Sequence, residues 1–541
     1  MEQGYLSFVL HAHLPHVRHP ENEDVMEEEW LYEAITETYI PLINTFDNLI
    51  EDGIEFKLTL SLSPPLLAML TDPLLQERYL NHLDELIELA EKEVERTSRE
   101  APEHHKMAKR YAYLFKEARY VFAEKYDRNL VSAFKKFQDQ GYLEVITSSA
   151  THAFLPFFDL YPEAVKSQID TGINEYYKHF DQKPPGFWLP ECGYQPGHDE
   201  FLAQQDVRYF FTDSHGILHA DTRPKYGVYA PIYTESGVAA FGRDMESSKQ
   251  VWSANEGYPG DYDYREFYRD IGYDLDYDYI EPYIHASGER KDTGIKYHRI
   301  TGEGDHKEPY NPEWAANKAD MHAEDFIQNR VQQIDYLADK MDRKPIIISP
   351  YDAELYGHWW YEGVQWLDFV IRKVACDYDS ITLTSPGDYL NEYKTNQVAT
   401  PSYSSWGYKG YGEVWLQEDN DWIYRHLHWA TEKMVEIANE YPHASGLKYE
   451  ALNQLTRELL LAQSSDWPFI MKTGTMVEYA VRRVKTHLTR FKSLYHEIKD
   501  DDIDVHVLRK LQHYDNIFPE IDYRIYRSDN ISSELRQELI Q

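Results

Sequence analysis

A chain of 541 residues can bury a large core and form more than one structural unit. With 93 Asp and Glu against 55 Lys and Arg, its formal net charge of −38 repels nucleic acid and anionic membrane surfaces and favours a neutral partner. Cys192 and Cys376 are the only cysteines, no disulfide framework follows from them, and neither a basic-then-apolar leader nor a membrane-length apolar run is present, so a soluble cytoplasmic protein is expected.

Residues 5–10, YLSFVL, read as a first buried strand that ends in His11, Ala12 and His13. Histidines at i and i+2 of a strand point to one side, a geometry that serves either a metal ion or the hydroxyls of a substrate. No CxxC, no HExxH and no obvious further ligand set accompanies them. Helical spacing follows over residues 33–50, and an alternating second strand, residues 56–62, stops at Pro64 and Pro65. The highly charged stretch from residue 75 to about 140 has helical periodicity, and residues 95–141 are assigned to a helical insertion.

A third strand, residues 143–147, leads to His152 and a run of phenylalanines. A fourth, around Phe187, stops at Pro190 and delivers Glu191; a fifth, residues 208–212, leads to Asp213 and His215. Residues 228–234 and 238–241 read as a hairpin. The Tyr-, Asp- and Gly-rich segment up to Tyr310 then reads as a binding loop or lid. After a helix over residues 316–340, the strand Ile346, Ile347, Ile348 is expected to stop at Pro350 and release Asp352 beyond its carboxyl end. A last strand, residues 381–384, makes about seven parallel strands, which points to an α/β fold with a β/α barrel or an open parallel sheet. Beyond residue 400 the texture is helical, preceded by a glycine-flanked loop with Trp406 and Trp415 and interrupted by SSDWPF at residues 464–469.

Two acids delivered by prolines at strand ends among aromatic residues are what a retaining glycosidase requires: one attacks the anomeric carbon, and the other protonates the leaving oxygen and later deprotonates the acceptor. The aromatic content of 15%, with 45 Tyr and 12 Trp, suits sugar binding, because ring faces stack on pyranose C–H faces. The rival readings are a metal-dependent hydrolase built on His11 and His13, and a glucan-binding protein without turnover.

The segments HAHLPH, LEVITSSATHAFLP, GFWLPECGY, SPYDAELYGHWWYEG and SSDWPF, spread in order over almost the whole chain, resemble glycoside hydrolase family 57 and, within it, the α-glucan branching enzymes. The resemblance implies an incomplete (β/α)7 barrel over residues 1–400 and a helical domain over residues 401–541 that helps to close the site. It also implies a retaining mechanism with Glu191 as nucleophile and Asp352 as general acid/base, and no metal or organic cofactor. Substrate contacts are expected from His11, His13 and His152, from Trp188 and Trp359 within the two carboxylate motifs, and from Trp406, Trp415, Asp466 and Trp467 of the C-terminal region. α-Glucan is the expected donor and acceptor; a 4-α-glucanotransferase or an α-amylase of the family is the near alternative, and no oligomeric state is assigned. Branching members usually place an aromatic platform, often Trp, before a REFYRDIGYD-like segment. Here Tyr262 and Tyr264 stand there, followed by Arg265, and a gating loop is expected around Tyr233.

Overall fold

The computed structural model describes residues 3–252 and 257–540, so residues 253–256 of the expected lid segment lie outside the described residues. At its centre is β1 (Gly4–Ala12), buried along its whole length. Successive side chains leave a strand on opposite faces. Tyr5 and Val9 accordingly enter an inner cluster with Trp188, Phe211, Ile346 and Ile348, while Leu6, Phe8 and Leu10 enter the outer core beneath the helices. The same parity sends His11 inward at the carboxyl end of the strand.

The other strands are β2 (Leu58–Leu62), β3 (Leu143–Ser148), β4 (Gly186–Trp188), β5 (Tyr209–Thr212), β6 (Ile232–Tyr233), β7 (Ala239–Gly242), β8 (Ile346–Asp352), β9 (Ile381–Leu383) and β10 (Gln397–Val398). Their order is β10-β6-β7-β5-β4-β3-β2-β1-β8. Among the described residues the seven strands from β8 through β1 to β5 and β7 are parallel and form the wall of an incomplete barrel. Its seam, between β7 and β8, is bridged where Ile346 N–H donates to the Tyr229 carbonyl and Asp244 N–H to the Ile348 carbonyl, both at 2.9 Å. The α/β fold with an incomplete seven-stranded barrel is therefore the one this chain adopts.

Its seventh wall strand is not the expected one. Among the described residues, residues 381–383 pair only with Gly4–Leu6, along the edge of β1 that β2 occupies higher up at Val9–Ala12. The place in the wall falls to β7, expected as half of a hairpin. Pro350 does not end its strand either: it pairs with Val9 inside β8. Amides of the even-numbered residues in β8 face the seam, as Ile346 N–H shows, so a missing N–H at position 350 removes no bond to β1. Tyr233 ends a strand antiparallel to β7 and lies opposite Ala239, at the amino end of the barrel, so it is no gate for a site at the carboxyl ends.

The boundary expected at residue 95 falls inside a single helix, Pro73–Glu100, which pairs with His105–Tyr120. The buried positions Leu83, Leu86, Leu89, Ala90, Glu93 and Thr97 keep helical period through that point. The helix before β2 is continuous from Glu29 to Glu51 except for a π-turn at Ile35–Tyr39. Pro41, which has no N–H to bond back to the Glu37 carbonyl, accounts for the wider turn. After β10 the regular elements are helices, including Tyr424–Glu440, Gly446–Ala462, Asp466–Thr473 and Val477–Asp500. No helix among the described residues is long and apolar enough to cross a membrane.

Candidate active site

The carboxyl ends of the strands open into a cavity of about 1030 Å³ lined by His11, His13, His152, Glu191, Asp352 and Asp466 among others. His11 and Asp352 are register partners on neighbouring strands, with Asp352 on the inward parity of Ile346 and Ile348. Glu191 arrives differently. β4 ends at Trp188, and the tight turn Pro190–Cys192 turns the chain with Glu191 at φ 60° and ψ 22° and Cys192 at φ 51°. His152 also has a left-handed backbone, φ 58°. Three such non-glycine residues in one site store strain of about 1–3 kcal/mol each, held by the packing around them.

The histidines form a hydrogen-bonded chain. His11 Nδ1 meets Ser61 Oγ at 3.0 Å, His11 Nε2 meets His152 Nε2 at 3.0 Å, and His152 Nδ1 meets Ser465 Oγ at 3.0 Å. Ser465 Oγ is 3.5 Å from Glu191 Oε1. An ionised Glu191 only accepts, so Ser465 donates to it and accepts from His152 Nδ1–H; His152 Nε2 then accepts from His11, whose Nδ1 accepts from Ser61. This needs both imidazoles neutral. Burial, reinforced by the neighbouring His13, pushes the pKa of each well below the usual histidine range.

His13 stacks on His152 and makes its own contacts, with Nδ1 2.9 Å from Ser63 Oγ and Nε2 3.1 and 3.2 Å from the two oxygens of Asp466. Burial works against charge on Asp466, but His13 holds its pKa below the ordinary range. Trp188 is fully buried beneath this layer, 4.7 Å from the His11 ring and 4.9 Å from Trp406, and positions both without lining the cavity.

The two acids differ in their partners. The Glu191 pKa is pushed up to about 7 by burial, with Asp352 adding to the shift and the Trp406 hydrogen bond opposing it. Trp406 Nε1–H donates to Glu191 Oε2 at 2.7 Å, and the Trp406 amide donates to the Glu191 carbonyl at 2.9 Å. The Asp352 pKa is also pushed up to about 7, first by burial and then by Glu354, and no hydrogen bond stabilises its carboxylate among the described residues. Two nearby carboxyls share their titration. The donors on Glu191 favour its charged form, and Asp352, whose carboxylate has no donor among the described residues, is the better suited of the two to keep a proton.

Among the described residues of the cavity, one group brings possible metal ligands together. His13, His152 and Asp466 place ligand atoms within 4.8 Å of one another. The His13 and His152 rings, however, stack face to face at 3.8 Å and 17°, so their in-plane lone pairs run side by side instead of converging. His11 and His13, the pair that the rival metal reading would use as ligands, are near-parallel with centroids 5.8 Å apart, each with Nδ1 on a serine.

Of the expected aromatic contacts, Trp359 is 57% exposed and lines the cavity, as does Trp406. Trp415 reaches its wall, but at 1% exposure and stacked on Phe154 at 4.5 Å it is mainly a packing residue. Trp467 lies outside the cavity: it is buried, donates to the Leu461 carbonyl at 2.8 Å and sits edge-on to Tyr479. Helix periodicity turns it inward while Asp466 and Phe469 face the cleft. Tyr262, Tyr264 and Arg265 also lie away from it. Tyr262 is 60% exposed and holds Arg299 through its carbonyl, Tyr264 is buried against His322, and Arg265 is buried beside Tyr111 and Tyr361. Sequence reasoning missed Trp252, Tyr408, Phe469 and Arg243, all on the cavity wall. For Arg243 and Trp252 the sequence signal was the exit of β7, lost once that strand is read as half of a hairpin, while Tyr408 and Phe469 lie two and three residues beyond the expected Trp406 and Asp466.

The model for glycosyl hydrolase family 57 matches residues 7–404, well over half of the chain. The chain belongs to glycosyl hydrolase family 57. A second family model, described as 1,4-alpha-glucan branching enzyme, C-terminal, matches residues 426–526. The family member described here is 33% identical to a 1,4-alpha-glucan branching enzyme of Thermococcus kodakarensis, over 98% of this chain and 79% of that one. A crystal structure titled as the novel alpha-amylase AmyC from Thermotoga maritima is 48% identical, with a TM-score of 0.91 over 97% of this chain and 99% of that one. A family 57-type branching enzyme from Pyrococcus horikoshii gives a TM-score of 0.86 at 33% identity, over 97% of each chain.

Proposed function

We propose that the protein is a 1,4-α-glucan branching enzyme that works by double displacement. Glu191 attacks the anomeric carbon of an α-1,4-linked glucan while Asp352 gives its proton to the leaving oxygen, so the first bond breaks as the glucosyl-Glu191 ester forms. A glucan 6-hydroxyl then loses its proton to Asp352 and displaces Glu191, leaving an α-1,6 branch with both carboxyls restored. The single observation that carries the reading is the asymmetry of the two acids in one cavity: Trp406 and Ser465 donate to Glu191, while burial beside Glu354 favours the protonated form of Asp352. His11, His13 and Asp466 are placed to take the hydroxyls of the sugar being transferred, and Trp359 and Tyr408 to stack on neighbouring units.

Water competes with the 6-hydroxyl for the intermediate, and local acceptor concentration decides the product. Support for transfer comes from the relatives named as branching enzymes and from the C-terminal branching-enzyme match. The relative titled an α-amylase favours hydrolysis as the second reading. Incubation with amylose separates them. Branching predicts loss of iodine colour with little gain in reducing ends and new isoamylase-sensitive linkages. Reducing ends that rise in step with colour loss assign hydrolysis. Inactivation by a chelator would instead support the metal-dependent alternative.

A further inference from the structure

The segment that brings Trp359 to the catalytic cavity brings Tyr361 and Glu362 to a second one. This cavity, of about 870 Å³, shares no lining residue with the first. Its walls are the π-turn helix with Glu37 and Asn48, the helix His105–Tyr120 with Tyr113, and the start of helix Gly363–Asp377. The volume falls in the roughly 300–1,000 Å³ range of small-ligand sites.

Charge selects what fits. In a chain of net charge −38, five Lys and Arg side chains on this wall are matched by five Asp and Glu. An ion of either sign meets as many like charges as opposite ones, and a neutral molecule meets hydrogen-bonding groups of both kinds. Asn44, Thr45 and Asn48 of the π-turn helix and Gln365 of the facing helix add neutral hydrogen-bonding side chains, none of them buried, to the same wall, and these suit the hydroxyl groups of such a molecule. Aromatic surface completes the fit. Tyr361 is braced by the Arg265 guanidinium 4.0 Å from its ring centre, and Tyr113 is 63% exposed at the mouth.

We propose that this cavity is a second, non-catalytic site for a neutral oligosaccharide, a stretch of the α-glucan chain whose remainder reaches the catalytic cleft. The proposal rests on the reading of the protein as an α-glucan enzyme. Holding one long chain at two places raises its local concentration at the cleft, so long glucans gain affinity and short ones do not. Glu37, which lines the second cavity, bonds His358 Nδ1 at 2.6 Å next to Trp359 and ties the two sites to one rigid segment.

The test is calorimetric titration of Glu191→Gln protein, which retains bound glucan unchanged, with maltoheptaose. Two sites per chain are expected, and one after adding Tyr361→Ala or Asn48→Trp; the latter blocks the cavity from an exposed helix position. With Glu191 intact, either substitution is expected to raise KM for amylose about tenfold and leave kcat/KM for maltoheptaose within about twofold. A single site that neither substitution affects, or equal losses on short and long glucans, overturns the proposal. Absence of any glucan binding overturns it together with the functional reading, and is told apart by loss of the catalytic site as well.

Discussion

In the proposed reaction Glu191 and Asp352, though alike in burial, take opposite roles because their neighbours differ. Glu191→Gln removes the attacking oxygen, and transfer on amylose should fall on the order of 10⁴-fold or more with the fold retained. The proton assignment makes a finer prediction. Glu191 must be ionised, so activity is lost as pH falls through its pKa; Asp352 must be protonated, so activity is lost as pH rises through its own. Trp406→Phe deletes the donor on Glu191 Oε2, its pKa rises further, and the acid limb of kcat/KM should move to higher pH. Glu354→Gln removes a negative neighbour that helps to hold Asp352 up, and the alkaline limb should move to lower pH. A pH profile in which Glu354→Gln moves the alkaline limb upward would remove Asp352 as the acid.

Segments of backbone, more than single side chains, hold the aromatic wall in place. A Cβ on Gly357, which has φ 99°, would stand 1.8 Å from the Glu37 carbonyl of the π-turn. Gly357→Ala must therefore push the Trp359 segment off its helix, and should lower both thermal stability and kcat, measurable by calorimetry and amylose transfer. The loop carrying Trp406 is pinned at both ends. Ser404 and Tyr194 exchange backbone bonds at 3.0 and 3.2 Å, and His215 Nε2 meets the Gly410 carbonyl at 2.7 Å. Within that loop, Trp415→Ala leaves a void against Phe154 and should destabilise the protein by about 3–5 kcal/mol in denaturant titrations, a loss expected of a packing residue.

Across the whole molecule the catalytic centre is a stability liability. Burial pushes Glu191, Asp352 and Glu354 up to about 7, so the folded state binds protons that the unfolded chain, with carboxyls near 4, has released. Stability from these groups therefore falls as pH rises from about 4 to about 7. Glu191→Gln should raise the melting temperature at pH 8 and give progressively less gain toward pH 4, by scanning calorimetry at several pH values. No such trend would mean that the site does not raise the pKa of this carboxyl.

Read as a string, the chain already determines six of the seven wall strands, sets His11 at the end of the first, and delivers Glu191 and Asp352 at the ends of two others, because the spacing of apolar residues along a strand is a local property. It also marks Trp359 and Trp406 as residues of strand exits and of a glycine-flanked loop. Three-dimensional packing alone decides which edge of β1 admits β9, why Pro350 can sit inside a strand, which way Trp467 faces, and that Tyr262, Tyr264 and Arg265 stand away from the carboxylates. Each of these depends on what lies opposite a residue from hundreds of positions away, and such contacts leave no period in the sequence.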